Sequence, residues 1–127
     1  MVYTSEALSL AALELLVHLA SDDLPGDLVA IPADIPDAVA SHEIETTQLP
    51  ADWRAFPAPE ALVAMGTRWA EERRTAVLAV PSAVIPVEGN VILNPFHPDF
   101  RKIRVGKPAP FAGRQAVEIS RAVRTKR

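Results

Sequence analysis

Proline constrains this chain more than any other feature. All twelve prolines fall within residues 25–59 and 81–110. Proline has no N–H to donate and a fixed φ, so a helix interior that holds one loses about 3 kcal/mol or more. Those two stretches are therefore expected to fold as short strands and ordered loops. Helices belong in the proline-free windows.

The first such window supports a helix from Glu6 to about Ala20, with Ser5 placed to cap it and Ser21-Asp22-Asp23-Leu24-Pro25-Gly26 ending it. At 100° per residue the leucines at 8, 13, 15, 16 and 19 cover one broad face. Glu14, His18 and Ser21 fall on a narrow stripe opposite, beside Ala7 and Ala11. Pro59 suits the first turn of a second helix running to about Arg73. Val2-Tyr3-Thr4 reads as the end of a strand, and Asp27 to Ile31 as another. Residues 32–57 are expected to be irregular, with a short helix near Asp37–Ser41. Thr75 to Val80 is β-branched and apolar, the pattern of a central strand. Val84–Val87 and Val91–Leu93 flank a turn signal at Glu88-Gly89-Asn90. Ile103 with Val105 suggests an edge strand, and Val117–Ile119 a further one. The sum is a mixed α/β (α+β) single domain with a small sheet and few helices.

A chain of 127 residues fits one domain and can bury about two thirds of its unfolded surface. Cysteine is absent, which excludes disulfides and thiolate metal sites and suits a reducing compartment. The apolar start has no basic region ahead of it and is interrupted by Glu6, Glu14 and His18. It matches neither a secretion signal nor a membrane span, so a cytoplasmic location and no membrane association are expected. Charge is divided unevenly. Residues 1–100 carry 4 basic and 15 acidic side chains, whereas residues 101–127 carry 9 basic and 1 acidic. A basic tail can attract nucleic acid, phosphate ligands or an acidic partner, and it can equally lie against its own acidic body. The tail has no aromatic residue among its bases after Phe111, which argues against direct nucleic-acid binding.

Standard catalytic motifs are missing: there is no glycine-rich phosphate loop, no Gly-x-Ser-x-Gly and no His-Glu-x-x-His. The three histidines, at 18, 42 and 97, are too scattered to suggest a metal site. Three constellations remain. Glu14 and His18 lie one helical turn apart, where a carboxylate could act as acid or base or stabilise a developing cation. The same stripe would also suit a plain solvated face. Ser82 follows the apolar strand directly after Pro81, at the end where binding groups gather in α/β folds. It could bind a ligand or simply cap a turn, and nothing nearby supplies the base that a nucleophile needs. Asn90 to Phe100 is rich in aromatic residues and proline and could wall a pocket or form a rigid turn, with Asn94 held extended by Pro95. Trp69 shares a helix face with Leu62 and Met65 and is expected in the core. Trp53 reads as a packing anchor. Tyr3 could pack in the core or present its ring or hydroxyl to a ligand.

The order of motifs goes further. Val2-Tyr3-Thr4-Ser5 leads into a helix with Ala12-Leu13-Glu14. Leu49-Pro50-Ala51-Asp52-Trp53 and Gly66-Thr67-Arg68-Trp69 come next. Leu78-Ala79-Val80-Pro81-Ser82-Ala83-Val84 and the Asn90 to Phe100 run, with Asn94-Pro95-Phe96-His97-Pro98, close the succession. This order resembles the RES domain, named for an arginine, a glutamate and a serine, over Met1 to about Arg114, with 115–127 left as a basic tail. The resemblance implies a fold similar to ADP-ribosyltransferases. It also implies a toxin that depletes NAD⁺ by cleaving the nicotinamide–ribose bond, with water or phosphate as acceptor and without a metal. By the same resemblance, Glu14 and Ser82 are the catalytic pair. Tyr3, Glu14, Ser82 and Asn94 contact NAD⁺, and Tyr3 sits near the nicotinamide. The expected partners are an Xre-type antitoxin with a DUF2384-like domain and a second copy of the chain.

The chain departs from the family pattern at three places. The family has some tens of residues ahead of the position of Tyr3, including its arginine, whereas Met1 stands two residues before Tyr3. The chain is thus expected to lack that segment, with its pyrophosphate-holding arginine and a strand of the sheet. A Phe-Asp-Pro-Arg-like motif reads Phe111-Ala112-Gly113-Arg114, and the family does not foresee the basic tail. Two other readings follow from the resemblance: an inactive remnant that serves as an antitoxin-binding module, and an ADP-ribosyltransferase acting on a macromolecule.

Overall fold

A four-stranded sheet, in the spatial order Val2–Ser5, Gly89–Leu93, Val77–Pro81 and Ser41–Glu43, organises the chain. The computed structural model describes residues 1–18 and 28–110. The tail at 115–127, the Val117–Ile119 strand, the helix stop at Ser21–Gly26 and the Phe111–Arg114 motif lie outside the described residues, as does the His18 side chain.

β1 (Val2–Ser5) pairs antiparallel with β6 (Gly89–Leu93), and β6 pairs antiparallel with β5 (Val77–Pro81). β4 (Ser41–Glu43) runs parallel to β5. Two short ribbons complete the strands: β2 (Val29–Ala30) with β8 (Ala109–Pro110), and β3 (Ala33–Asp34) with β7 (Arg104–Val105). The described helices are α1 (Leu8–His18) and α2 (Glu60–Glu72), with 3₁₀ turns at Thr46–Gln48 and Pro98–Lys102. No described helix is long and apolar enough to cross a membrane. The outcome is the expected small mixed α/β domain, and its proline-rich stretches hold only short strands and 3₁₀ turns.

Side chains alternate across the sheet, so β5 and β6 supply two separate cores. On one face Val77, Val91 and Leu93 pack with Ile35, Val39 and Ile103. On the other, Leu78 and Ile92 pack with Ile44 and with Trp69 of α2, flanked by Met65 and Leu49. Each such side chain contributes about 1.5–3 kcal/mol on burial. Trp69 is indeed core, and its indole N–H donates to Thr75 Oγ1 at 2.9 Å, which leaves no orphan polar atom on the ring. α2 is capped at Pro59 and ends at Arg73, whose left-handed φ of 53° terminates the helix.

Three sequence expectations need correction. The short helix near Asp37–Ser41 does not form: a turn at 37–39 leads directly into β4, which has the buried strand β5 to pair with. Val84–Val87 is not a strand. Residues 82–88 instead form the connection of a β5–β6 hairpin, closed by Ser82 N–H to the Glu88 carbonyl at 2.9 Å and by Glu88 N–H to the Ile85 carbonyl at 2.9 Å. Pro86 has no N–H for a ladder there. Gly89, read as part of a turn, is a strand residue paired with Pro81, and a Cβ there would collide with the Glu6 carboxylate.

The third correction concerns α1. Leu8 and Leu10 are buried, while Leu13, Leu16 and Val17 are exposed. The helix is apolar almost all round, so leucine counting does not identify its inner face. Glu14 turns inward, for reasons that become clear at the end of the sheet.

Candidate active site

Antiparallel pairing sets Ser5 directly opposite Asn90, and Asn90 opposite Val80. Ser82 lies two residues beyond Val80, on the same side by alternation. α1 follows β1 closely and brings Glu14 over this corner. The Ser5 hydroxyl donates to Glu14 Oε1 at 2.8 Å. The Ser82 hydroxyl and the Asn90 amide donate to Oε2 at 2.9 and 2.8 Å. Ser5 Oγ also stands 3.0 Å from Asn90 Oδ1, so its single proton has two acceptors in reach. Three elements thus converge on one carboxylate, and all three donors are neutral. The described ion pairs, Glu72–Arg74 and Asp99–Lys102, are elsewhere, and among the described residues no cation lies within 4 Å of the Glu14 carboxylate. The carboxylate is oriented and hydrogen-bonded, with no described cation against it.

Ser82 is fully buried, at 0% exposure. Its proton goes to Glu14, and its oxygen accepts the amides of Val84 at 3.1 Å and Ile85 at 3.2 Å. A hydroxyl has one donor and two acceptor sites, so this one is saturated. Ser82 therefore holds Glu14 in place and has no free atom to offer a ligand in this arrangement. Of the two sequence alternatives, the structure displays the turn cap, and the same hydroxyl also holds the Glu14 carboxylate.

Asn90 links the cluster to a pocket of about 260 Å³ on the Leu78–Ile92 face, which Tyr3, Trp53, Met65, Leu78 and Ile92 also line. Tyr3 is 69% exposed and stands on the same side of the sheet as Ser5, at the pocket rather than in the core. Trp53, expected only to pack, also lines this wall. The volume is below the ~300–1,000 Å³ that encloses a whole drug-sized ligand, so the pocket suits one end of a larger one. A neighbouring cleft of about 380 Å³ shares Ile44, Val80 and Pro81 but is lined by Glu6, Glu43, Glu45 and Glu88. Four carboxylates make it a poor host for an anion.

Asn94 stands apart. It is four residues along from Asn90, about 13 Å at strand rise, and its side chain is spent on the backbone. Nδ2 donates to the Ala70 carbonyl at 3.0 Å, and Oδ1 accepts the Phe96 amide at 3.1 Å. The expectation of a ligand contact at Asn94 gives way to a structural lock between β6 and α2. His97 has a similar local use, since its Nδ1 accepts the Asp99 amide at 3.0 Å. Among the described residues no group of histidine, aspartate and glutamate could hold a metal. Sequence reasoning missed Ser5 and Asn90 as members of the site. Ser5 read as a helix cap and Asn90 as a turn residue, and only the strand register joins them.

The RES domain family model matches residues 1–113. A Prs ADP-ribosylating toxin from Sphingobium sp. (strain YBL2) is 42% identical over 108 residues, covering 84% of this chain and 67% of that protein. A Toxin Res from Photorhabdus laumondii subsp. laumondii is 41% identical over 102 residues, covering 80% and 64%. Another Toxin Res, from Yersinia enterocolitica, is 33% identical over 100 residues, covering 79% and 65%. The chain spans about two thirds of the length of these relatives.

Proposed function

The chain belongs to the RES domain family, and from that premise we propose that it is a toxin that consumes NAD⁺ by breaking the bond between nicotinamide and ribose. The observation that carries this reading is the Glu14 carboxylate, held by three neutral donors, one of which, Asn90, lines a pocket with apolar walls. In the reaction the C1′–N bond breaks, and its electron pair discharges the pyridinium nitrogen. Positive charge develops on the ribose. A fixed carboxylate stabilises that charge without having to reorganise, and one preoriented group of this kind is worth about 10²–10³ in rate. A water or phosphate oxygen then bonds to C1′, and water gives up a proton. Glu14 acts on the sugar, while Ser5, Ser82 and Asn90 keep it aimed. Tyr3 and Trp53 offer ring faces to the nicotinamide end. The pyrophosphate stays outside the acidic cleft.

One relative favours a second reading. The Sphingobium protein is named an ADP-ribosylating toxin, which makes a macromolecular side chain the acceptor in place of water. Bond breaking and the role of Glu14 are the same in both. By the same family membership, a co-encoded Xre-type antitoxin is the proposed partner, and a homodimer the proposed assembly.

The test is NAD⁺ consumption by the purified 127-residue chain, with and without phosphate, beside Glu14→Gln. Glutamine keeps the shape but removes the charge, and a loss of about 10³-fold is expected. Cleavage that survives in Glu14→Gln, or its absence in folded wild-type protein, would refute the reading. Radiolabelled NAD⁺ separates the two acceptors: free ADP-ribose supports the first, and label fixed on protein the second.

A further inference from the structure

Arg54 lies outside the carboxylate cluster, on the segment between the Thr46–Gln48 turn and α2. Two tight turns, Trp53 N–H to Pro50 carbonyl and Ala55 N–H to Asp52 carbonyl, point it across the pocket toward the β5–β6 connection. Its Nε donates to the Ala83 carbonyl at 2.8 Å, and its Nη2 reaches the Val84 carbonyl at 3.4 Å. Those two carbonyls matter because of what lies at the other ends of their peptide groups. The Ala83 carbonyl shares a planar unit with the Val84 amide, and the Val84 carbonyl shares one with the Ile85 amide. These are the two amides that donate to Ser82 Oγ. Arg54 therefore grips two rigid plates from outside, and Ser82 holds the same plates from inside.

We propose that Arg54 is a positioning residue for Glu14, acting through these two peptide groups and Ser82. The inference rests on the proposed role of Glu14 and adds a residue to it. A guanidinium on the oxygen end of a peptide group fixes the direction of its N–H and polarises it. Bonds in such a chain strengthen one another by ~10–30% each. The path runs from the Arg54 cation through the amides to Ser82 Oγ, and through its proton to Glu14 Oε2. A cation is thus connected to the carboxylate without neutralising it at contact distance. Arg54 also ties the wall that carries Trp53 to the wall that carries Ala83.

Two measurements test this. The first is amide hydrogen exchange on the full chain without NAD⁺, which decides the clamp whether or not the chain cleaves NAD⁺. Arg54→Met should speed exchange at Val84 and Ile85 by about tenfold or more, leaving Val91 and Leu93 unchanged. The second is a kinetic cycle with Ser82→Ala. Arg54→Met should lower kcat by about 10–100-fold, the scale of a small misplacement, with KM within about twofold. In the Ser82→Ala background the same change should cost less than about twofold. Arg54→Lys keeps the charge but not the forked grip and should recover part of kcat. The proposal is overturned by unchanged exchange at both amides, by an equal kcat loss in the two backgrounds, or by a rise in KM with kcat retained, which would mark a direct ligand contact. A wild-type chain without activity, but with faster exchange in Arg54→Met, would sink the proposed function and leave the clamp standing.

Discussion

Asn90 lies within β6 and Asn94, four residues on, just past its end, and each side chain makes two hydrogen bonds. At the far end, Asn94 is 1% exposed and bonds only to main-chain groups, the Ala70 carbonyl and the Phe96 amide. At the near end, the partners of the Asn90 side chain among the described residues are the side chains of Glu14 and Ser5, and Asn90 borders the pocket. The chemistry of the amide is identical in both. What differs is whether its partners belong to fixed backbone or to a carboxylate that could still meet something else. A residue type in a strand therefore says little about function until its partners are known, and the comparison can be tested by removing each amide in turn.

The largest effect should come from Asn94→Ala, and it should be on stability. The change leaves the part-buried Ala70 carbonyl and Phe96 amide without their partner and empties the space of a side chain only 1% exposed, together costing about 3 kcal/mol. A loss of about 3 kcal/mol lowers Tm by roughly 10–20 °C in a domain of this size. Calorimetry checks this. NAD⁺ turnover of the folded protein, measured well below the transition, should stay within about twofold of wild type. A folded Asn94→Ala protein that no longer turned over NAD⁺ would break the division between the two ends.

Asn90→Ala should behave in the opposite way. It removes one of the two donors on Oε2, the one that also borders the pocket. Turnover should fall about 10²-fold, close to 2.7 kcal/mol, the scale of losing one preoriented donor. Denaturant unfolding should show a stability loss of only about 1 kcal/mol, since water can reach the pocket side. Ser5→Ala is the milder version, with a decrease of about tenfold, because Ser82 and Asn90 still hold Oε2. If Ser5→Ala cost more than Asn90→Ala, the Oε1 side would be the one that aims the carboxylate.

Much of this was legible in sequence, and the limits have physical causes. The proline distribution correctly confined the helices, and β-branching marked β5 as an inner strand, because both signals are local. Glu14 and Ser82 were reached through the order of motifs, not through spacing: they lie 68 residues apart. Ser5 and Asn90 were not found because a site made by strand pairing depends on a register that no local pattern encodes. The inward turn of Glu14 was hidden by a helix with leucines on nearly every side. Burial there was decided by three waiting donors and not by hydrophobic area. Asn94 was misjudged for the opposite reason. Its neighbours Pro95, Phe96 and His97 suggested a pocket wall, yet Phe96 is 75% exposed and the segment folds back on itself through the Asn94 and His97 side chains.

The smallest expected effect tests how far the near end extends along the sheet. Tyr3 lies two residues before Ser5 on the same side of β1 and is 69% exposed, with its ring at the pocket. An exposed side chain on an edge strand contributes little to stability, so both Tyr3→Phe and Tyr3→Ala should unfold within about 0.5 kcal/mol of wild type. Their kinetics should differ. If the ring stacks on the nicotinamide end, phenylalanine preserves the contact, and KM for NAD⁺ should change less than about threefold. Alanine should raise KM about tenfold, matching the ~1–3 kcal/mol of an aromatic stacking contact, while leaving kcat nearly unchanged. The contrast with Asn90→Ala, which should act on kcat, then separates the part of the corner that holds the ligand from the part that holds the carboxylate. Equal KM increases in Tyr3→Phe and Tyr3→Ala would assign the contact to the hydroxyl instead of the ring. No change in either would end the near-end site at Ser5.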